Sequence, residues 1–501
     1  MDAPLRYRVF AGILIFFSFL VITAKTIDPD LYWHLRDGEL ILATHTVPRV
    51  DTYSYTMAGM PWVDHEWLVE AAFAWMYNHG LMPVLDLIFA IIAFIPFVVW
   101  LRRYRTWPDL WAIGAGASVF MSFLAVKPQI VSYLFFFIVY ELLAHYYLTA
   151  KDARGAHRKI YLLALPLVFF VWANIHAEFV SGLLLFGVFP MTDAAVAIYR
   201  KTKGQWNAVL FPAAMFVLSA VTPLFNPYGA GLYGEIVRVA LSANTMKYIQ
   251  EWQSPFAGSP SLSPTTFALA FVLSIFIFLV LRFGKRVPPA ALSAAVIFFL
   301  LFAKAQRMGP LFIIIAIPFM HEGLSLAATE VVSRWHLASR RAKKIFRGVG
   351  NTLSVAAFGA IVVTPATLVP SQYPVGAVTL LNDQAAQGNH IVLLNFYGWG
   401  GYLDWNAPEI PVFIDGRMPH WTEPDGTSAM QNYVDIFLAP TNWPTQETIL
   451  KEWGVNTVLI QSSKQGESNA NTTLTGELLA NGWAETYKDQ TAIVLEAPDQ
   501  N

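Results

Sequence analysis

Apolar runs about as long as a bilayer crossing recur along this chain, and that recurrence limits what it can fold into. A helix needs about 20 mostly apolar residues to span the hydrocarbon core. About eleven such runs can be drawn: 8–24, 81–101, 108–126, 129–149, 159–175, 180–198, 206–224, 264–282, 287–303, 309–327 and 348–369. A mean hydropathy of +0.46 and a hydrophobic share of 55% exclude an all-soluble fold. The first run follows the basic start "MDAPLRYR", but no small-residue cleavage site precedes the acidic segment after it. It therefore reads as an uncleaved anchor.

The basic residues give these runs an orientation. Arg6/Arg8, Arg102/Arg103/Arg105, Lys151/Arg154/Arg158/Lys159, Arg200/Lys201/Lys203, Arg282/Lys285/Arg286 and the cluster Arg334 to Arg347 fall on alternate loops. By the positive-inside rule those loops and the N-terminus are cytoplasmic. The other side then receives the loop 26–80, the turns near Lys127–Gln129, Asn174–Glu178 and Lys304–Arg307, the loop 225–263, and the tail. The expected architecture is a polytopic α-helical membrane domain, 1–370, followed by a small extracytoplasmic α/β domain, 371–501. In that tail "HIVLLNFYGWGGYLDW", "PVFIDGR", "TVLIQSS" and "AIVLEAP" look like strands. "PVGAVTLLNDQAAQG", "TQETILKEWG" and "TLTGELLANGW" look like short helices, and "KQGESNANTT" like a loop.

Several chemistries are excluded. With no cysteine there is no disulfide, thiolate nucleophile or cysteine-ligated metal. No P-loop, serine-hydrolase elbow, zinc-protease motif or nucleic-acid-type basic patch occurs. What stands out is acid placed at one membrane exit, in a chain with only 13% charged residues. "TIDPDLYWHLRDGELILATH" carries Asp28, Asp30, His34, Asp37 and Glu39. On a helix over 30–42, Asp30, His34 and Asp37 share one face, and Leu31, Leu35 and Leu42 another. Two readings stay open: a solvated stripe on a membrane-surface helix capped by Asp28 or Asp30, or a stripe turned into a cavity.

A second acidic knot, "WVDHEWLVEAAF", brings Asp64, His65, Glu66 and Glu70. Asp64 either caps a helix or carries chemistry. Oxygen ligands with an occasional imidazole suit Mg²⁺ or Mn²⁺, so Asp30, Asp64 and Glu66 are the candidate metal ligands. The same carboxylates could serve as a general base. Lys304 and Arg307 in "AKAQRMGP" are the leading cations for a lipid phosphate, with Lys127 and His176 behind them; snorkelling at a span end is the plainer account. His176 and Glu178 crowd with Asn174 in the turn "NIHAEF". Trp399 and Tyr402 in "YGWGGYLDW" offer faces either to a sugar or to the interface. Asp415 and Arg417 in "FIDGR" form either part of a binding site or a turn with an internal ion pair.

"DLYWHLR" resembles the first-loop signature of the GT-C superfamily of membrane glycosyltransferases. In its oligosaccharyltransferase catalytic subunits an Asp is followed by Pro, two aromatics, an amide residue, another aromatic and Arg. Asp30, Tyr32, Trp33, His34 and Arg36 match that order, with His34 in place of the amide and Leu31 where Pro would stand. The longer series "DPDLYWHLRDGELI", "VPRVDTYSYT", "PWVDHEWLVE", "ANIHAEF", "NPYG", "EWQSP", "YGWGGYLDW" and "FIDGR" is similar to a group of GT-C-like polytopic bacterial membrane proteins. The resemblance implies a multi-pass protein of the bacterial inner membrane. It implies a polyprenyl-phosphate-linked sugar donor and transfer to a glycan, lipid or protein acceptor at the outer face. It also implies that Asp30 is the catalytic base or a metal ligand, with Asp28 a second candidate. The family's second acidic position has no clear match, and Asp64 and Glu66 stand in for it beside His34. Two alternatives remain: a non-catalytic assembly or export partner, and a transporter or flippase of lipid-linked sugars. The last would want polar groups deep in the spans, which here are nearly clean.

Overall fold

The computed structural model describes residues 2–25, 28–148, 156–201, 206–257, 264–335, 373–423, 425–437, 442–462 and 470–498. The expected last span, 348–369, lies outside them, as does most of the basic cluster Arg334 to Arg347. The chain divides into two compact units: Met1–Thr26, Met82–Ala230 and Gln250–Leu368 make one, and Ile27–Leu81, Gly231–Ile249 and Val369–Asn501 the other. The tail read as an α/β domain from 371 is one of three segments that build the second unit.

The first unit is helical. Among the described residues six helices are long and apolar enough to cross a membrane: Leu5–Ala24, Met82–Arg103, Gln129–Tyr147, Phe179–Tyr199, Ala268–Arg286 and Gln306–Glu330. The expected spans 108–126, 159–175, 206–224 and 287–303 form shorter helices there, so six of the expected spans reach crossing length among the described residues. The run 108–126 stops as a helix at Met121, and 206–224 at Val221. The run 159–175 is divided into Ala156–Leu163 and Leu165–Trp172, with Pro166 unable to supply an N–H inside a continuous helix. Trp107–Met121 is buried nearly all round, and it packs against Gly309–Trp335, whose residues Leu311–Ile317 are all buried. Such a helix needs no polar face. The basic ends meet one another: Ala3 N–H donates to Arg105 O, Arg103 pairs with Glu141 at 2.7 Å, and Arg282 pairs with Glu330. This places several of the basic loops read from the sequence at one end of the bundle.

The second unit is built on a four-stranded mixed sheet, order β1-β2-β4-β3, from β1 (Leu393–Asn395), β2 (Thr457–Gln461), β3 (Ala484–Lys488) and β4 (Ala492–Glu496). β1 and β2 are parallel; β4 runs antiparallel to β2 and to β3. Alternate residues supply two cores. Leu394, Val458, Ile460 and Leu495 join one with Trp33, Met57 and Trp62 of the first-loop segment, while Leu393, Leu459 and Val494 join another with Ala377, Val378 and Leu381. Burial of both faces explains why "TVLIQ" and "AIVLE" read as nearly continuous apolar runs.

Two expected strands form differently. "YGWGGYLDW" is a turn of helix, Tyr397–Trp399, leading into the helix Gly400–Asn406. "PVFIDGR" runs extended without joining the sheet. It is stapled by the buried Asn395 amide, which donates to Ile414 O at 2.8 Å and accepts from Phe413 N at 2.8 Å. It also pairs with the first-loop segment: Val412 N–H donates to Tyr53 O at 3.0 Å, and Tyr55 N–H to Val412 O at 3.2 Å.

Candidate functional site

The helix expected over 30–42 forms at Leu31–Thr44, but it is not a membrane-surface helix with a solvated stripe. His34 and Asp37 are buried, along with Leu31, Trp33, Leu35 and Ile41. The reason is the neighbouring helix Trp67–Asn78, packed so closely that a Cβ on Gly38 would lie 2.1 Å from Glu70 O. Between these helices His34 Nδ1 donates to Glu70 Oε1 at 2.8 Å and lies 3.7 Å from Glu66 Oε2. One ligand atom from each of His34, Glu66 and Glu70 falls within 4.8 Å of the others. Asp64 accepts from Glu66 N–H at 3.0 Å, so one of its oxygens serves the local turn, as a cap would. Its other oxygen and Glu70 Oε2 are buried without a hydrogen-bond donor.

Arg417 anchors a second cluster. It donates to Asp51 Oδ1 at 2.8 Å and to both oxygens of Asp415, and it stacks on Tyr53, Trp62 and Trp421 at 4.7, 4.8 and 5.6 Å. Asp51 is satisfied by Ser54 N–H and Oγ as well. Asp37 accepts from Tyr53 OH at 2.5 Å with one oxygen, while the other has no donor. Asp404 is buried with neither oxygen hydrogen-bonded. One guanidinium therefore serves four buried aspartates.

Electrostatics follow from that imbalance, because burial disfavours a charged carboxylate unless a cation compensates. Burial pushes Asp37 well above the usual carboxylate range, Asp64 adding to it against Arg417. Burial likewise raises Glu70 strongly, helped by Asp64 and Asp37, and raises Asp404, helped by Asp415. Asp64 is pushed up to about 6 by burial, with Glu70 working the other way.

Asp30 occupies the N-cap position of Leu31–Thr44 but makes no side-chain cap bond. Asp28 spends a carboxylate oxygen on Asp30 N–H at 3.0 Å. Asp30 Oδ1 lies against the "FIDGR" backbone, only 2.1 Å from where a Cβ on Gly416 would stand. Only glycine leaves room for that carboxylate. Gly401 similarly admits Pro29 O and Trp33. The tail therefore folds onto the first loop through "FIDGR" and through the backbone of "YGWGGYLDW".

The other expected residues divide. Trp399 and Tyr402 are both buried in the sheet's second core, and Tyr402 stacks on Tyr373 at 4.6 Å. In the first unit Arg307 pairs with Glu251 at 3.0 Å and lies 3.6 Å from Glu178, with Lys127 3.9 Å from Glu251. His176 Nδ1 lies 3.0 Å from Ser132 Oγ, which accepts from Trp172 Nε1 at 2.8 Å. Lys304 is exposed at a helix C-terminus, where snorkelling accounts for it. Of the candidate metal ligands, Glu66 is grouped with His34 and Glu70, and Asp30 and Asp64 are not in that group. Sequence reasoning passed over Asp51, Tyr53 and Asp404 as site residues. All three had a signal: Asp404 is an acid inside a glycine–aromatic stretch, and Asp51 and Tyr53 lie in "VPRVDTYSYT".

No family model and no curated protein matches the sequence. Solved structures do. The apo oligosaccharyltransferase of Archaeoglobus fulgidus superposes with a TM-score of 0.57 at 12% identity, over 91% of this chain and 69% of that one. The same enzyme in complex with Zn and sulfate gives 0.52 at 13% identity, over 91% and 67%. ArnT from Cupriavidus metallidurans bound to undecaprenyl phosphate gives 0.52 at 14% identity, over 99% and 100%. The likeness runs over most of this chain, so it shares the fold of that oligosaccharyltransferase and of ArnT.

Proposed function

We propose that this chain is a GT-C-type glycosyltransferase that moves a sugar from a polyprenyl-phosphate-linked donor to an acceptor at the outer face of a bacterial inner membrane. The observation that carries the reading is the placement of Asp30: a first-loop carboxylate not used for capping, seated on Gly416 beside an acid-rich core. In this reading Asp30 takes the proton from the acceptor hydroxyl or amine. The freed pair bonds to the sugar's anomeric carbon, the bond from that carbon to the phosphate oxygen breaks, and polyprenyl phosphate leaves with its electrons. ArnT's complex with undecaprenyl phosphate supports the lipid donor. In the first unit Arg307, grouped with Lys127 around Glu251, is the leading cation for a lipid phosphate.

A divalent ion fits His34, Glu66 and Glu70: the set joins one imbuing imidazole and two carboxylates, and Glu70 Oε2 has no conventional donor. Bound there it would neutralise acid and polarise phosphate oxygens. The oligosaccharyltransferase complex with Zn supports a metal of some kind; Mg²⁺ or Mn²⁺ suits the carboxylates, and Zn²⁺ the imidazole. With an ion bound, Glu70 would ligate as a deprotonated carboxylate, and Asp64 would stand beside it. The proposed topology keeps the N-terminus cytoplasmic and the tail outside. Because the chain lacks cysteine, Asp383→Cys alone should react with an impermeant maleimide from the outer side; labelling only from the cytoplasmic side overturns that topology.

The test of function uses the full chain in liposomes with undecaprenyl-phosphate-linked radiolabelled sugars and a bacterial membrane extract as acceptor. Free undecaprenyl phosphate appearing together with labelled product supports the transferase. Donor that stays intact with every sugar supplied, or that crosses the bilayer unchanged, contradicts it.

A further inference from the structure

The helices Leu5–Lys25 and Met82–Arg103 pack along one another in the first unit and leave a groove of about 390 Å³ on their outer side. Its walls are apolar: Ile13, Phe16 and Phe17 from one helix, Phe94 and Val98 from the other. Ile13 and Phe17 are half exposed, as lipid-facing residues are. Gly12 keeps the floor low: a Cβ there would already touch Leu101 at 3.4 Å, and any longer side chain would fill the slot.

One end of the groove is cationic. Arg8 and Arg102 line it, and no carboxylate does. By contrast Arg103, next to Arg102, is paired with Glu141 at 2.7 Å. Arg8 gives one N–H to Leu101 O at 3.3 Å, and its Nε is buried with no partner. A slot of bilayer apolarity ending in two guanidiniums without acids matches one chemistry, a fatty chain carrying a phosphate.

We propose that this groove is a binding site for an anionic phospholipid, with one acyl chain in the slot and the phosphate between Arg8 and Arg102. The occupant is a bilayer phospholipid rather than the sugar donor because of where the arginines sit. Arg8 precedes the helix end at Lys25 by 17 residues, about 25 Å along a helix. That is most of the ~30 Å hydrocarbon thickness. The headgroup therefore lies in the leaflet at the start of this helix, whereas the acidic first loop leaves the membrane at its far end. A lipid wedged there would clamp the anchor helix to its neighbour and set its depth.

The test is native mass spectrometry of the full chain in mild detergent, titrated separately with phosphatidylglycerol, phosphatidylcholine and undecaprenyl phosphate. One phosphatidylglycerol should bind at least tenfold more tightly than phosphatidylcholine. Arg8→Ala with Arg102→Ala should remove that preference, and the exposed Arg102→Ala alone should reduce it severalfold. Gly12→Leu should weaken both phospholipids alike, and Arg103→Ala should change neither. Phosphatidylglycerol binding unaltered by Arg102→Ala and Gly12→Leu overturns the site. Equal binding of the two phospholipids overturns the headgroup assignment. Tighter binding of undecaprenyl phosphate that Gly12→Leu abolishes overturns the choice of occupant.

Discussion

Arg307 and Arg417 each gather acids within their own unit, and they keep different company. Around Arg307 charge is shared among two cations and two acids: Glu251 and Glu178 answer Arg307 and Lys127 at 3.0 to 3.9 Å. Around Arg417 four buried aspartates face one guanidinium, and Asp37 and Asp404 are left with oxygens that nothing donates to. A few residues away burial also pushes Asp64 and Glu70 up. Matched charge is what a fold needs to join chain ends. Surplus buried acid costs stability, and perturbed buried groups gather where chemistry is done. The surplus lies in the second unit, and the matched charge in the first.

That contrast can be broken by mutation. The largest effect is expected from Arg417→Ala, which leaves Asp415 and Asp51 buried without their cation and should cost about 3–5 kcal/mol. Thermal unfolding in detergent should show the loss, with the tail becoming sensitive to protease. Arg307→Ala, in its more open and evenly matched group, should cost about 1 kcal/mol. Equal losses would remove the distinction between the two units.

Asp64 sharpens the point through pH. Its folded pKa of about 6 lies above the ordinary 3.8, so the folded chain holds a proton that the unfolded chain has released. Stability from this group therefore falls as pH rises from about 4 to about 6, and the penalty is complete above that, on the order of 3 kcal/mol. Asp64→Asn should melt with the wild type near pH 4 and above it at pH 8. An advantage that shrank as pH rose would contradict the burial argument. A smaller effect is expected from Gly416→Ala. The methyl group must displace Asp30 Oδ1, which should slow donor consumption roughly tenfold, about 1.4 kcal/mol, while melting changes little. Unchanged turnover would show that this seat is not required.

Much of the framework was legible in the sequence. Alternate basic loops marked ends that do meet, as Ala3 with Arg105 shows, and the helix at Leu31–Thr44 followed from its periodicity. "TVLIQ" and "AIVLE" gave their strands through apolar runs, whereas β3, "AETYK", is an exposed edge whose polarity hid it. Charged and polar edges look like loops when read alone. "YGWGGYLDW" misled because aromatics favour strands, yet Gly400 must lie against Ile414 O and Gly401 against Pro29 O, and a short helix achieves both. The solvated-stripe reading failed for a tertiary reason. Whether His34 and Asp37 face water depends on Glu70, which lies 36 residues from His34 in sequence. Asp51 and Arg417 are 366 residues apart, and no local pattern couples them.

The most direct measurement is the initial rate of lipid-linked donor consumption by full-length Asp30→Asn, set beside Asp28→Asn and wild type in the same liposomes. Asp28 serves the local backbone through Asp30 N–H, while Asp30 makes no cap bond of its own. The account predicts that Asp30→Asn, correctly inserted and with unaltered melting, loses about 10²–10⁴-fold in rate, and that Asp28→Asn stays within about tenfold of wild type. A folded Asp30→Asn protein that consumes donor at the wild-type rate would contradict it.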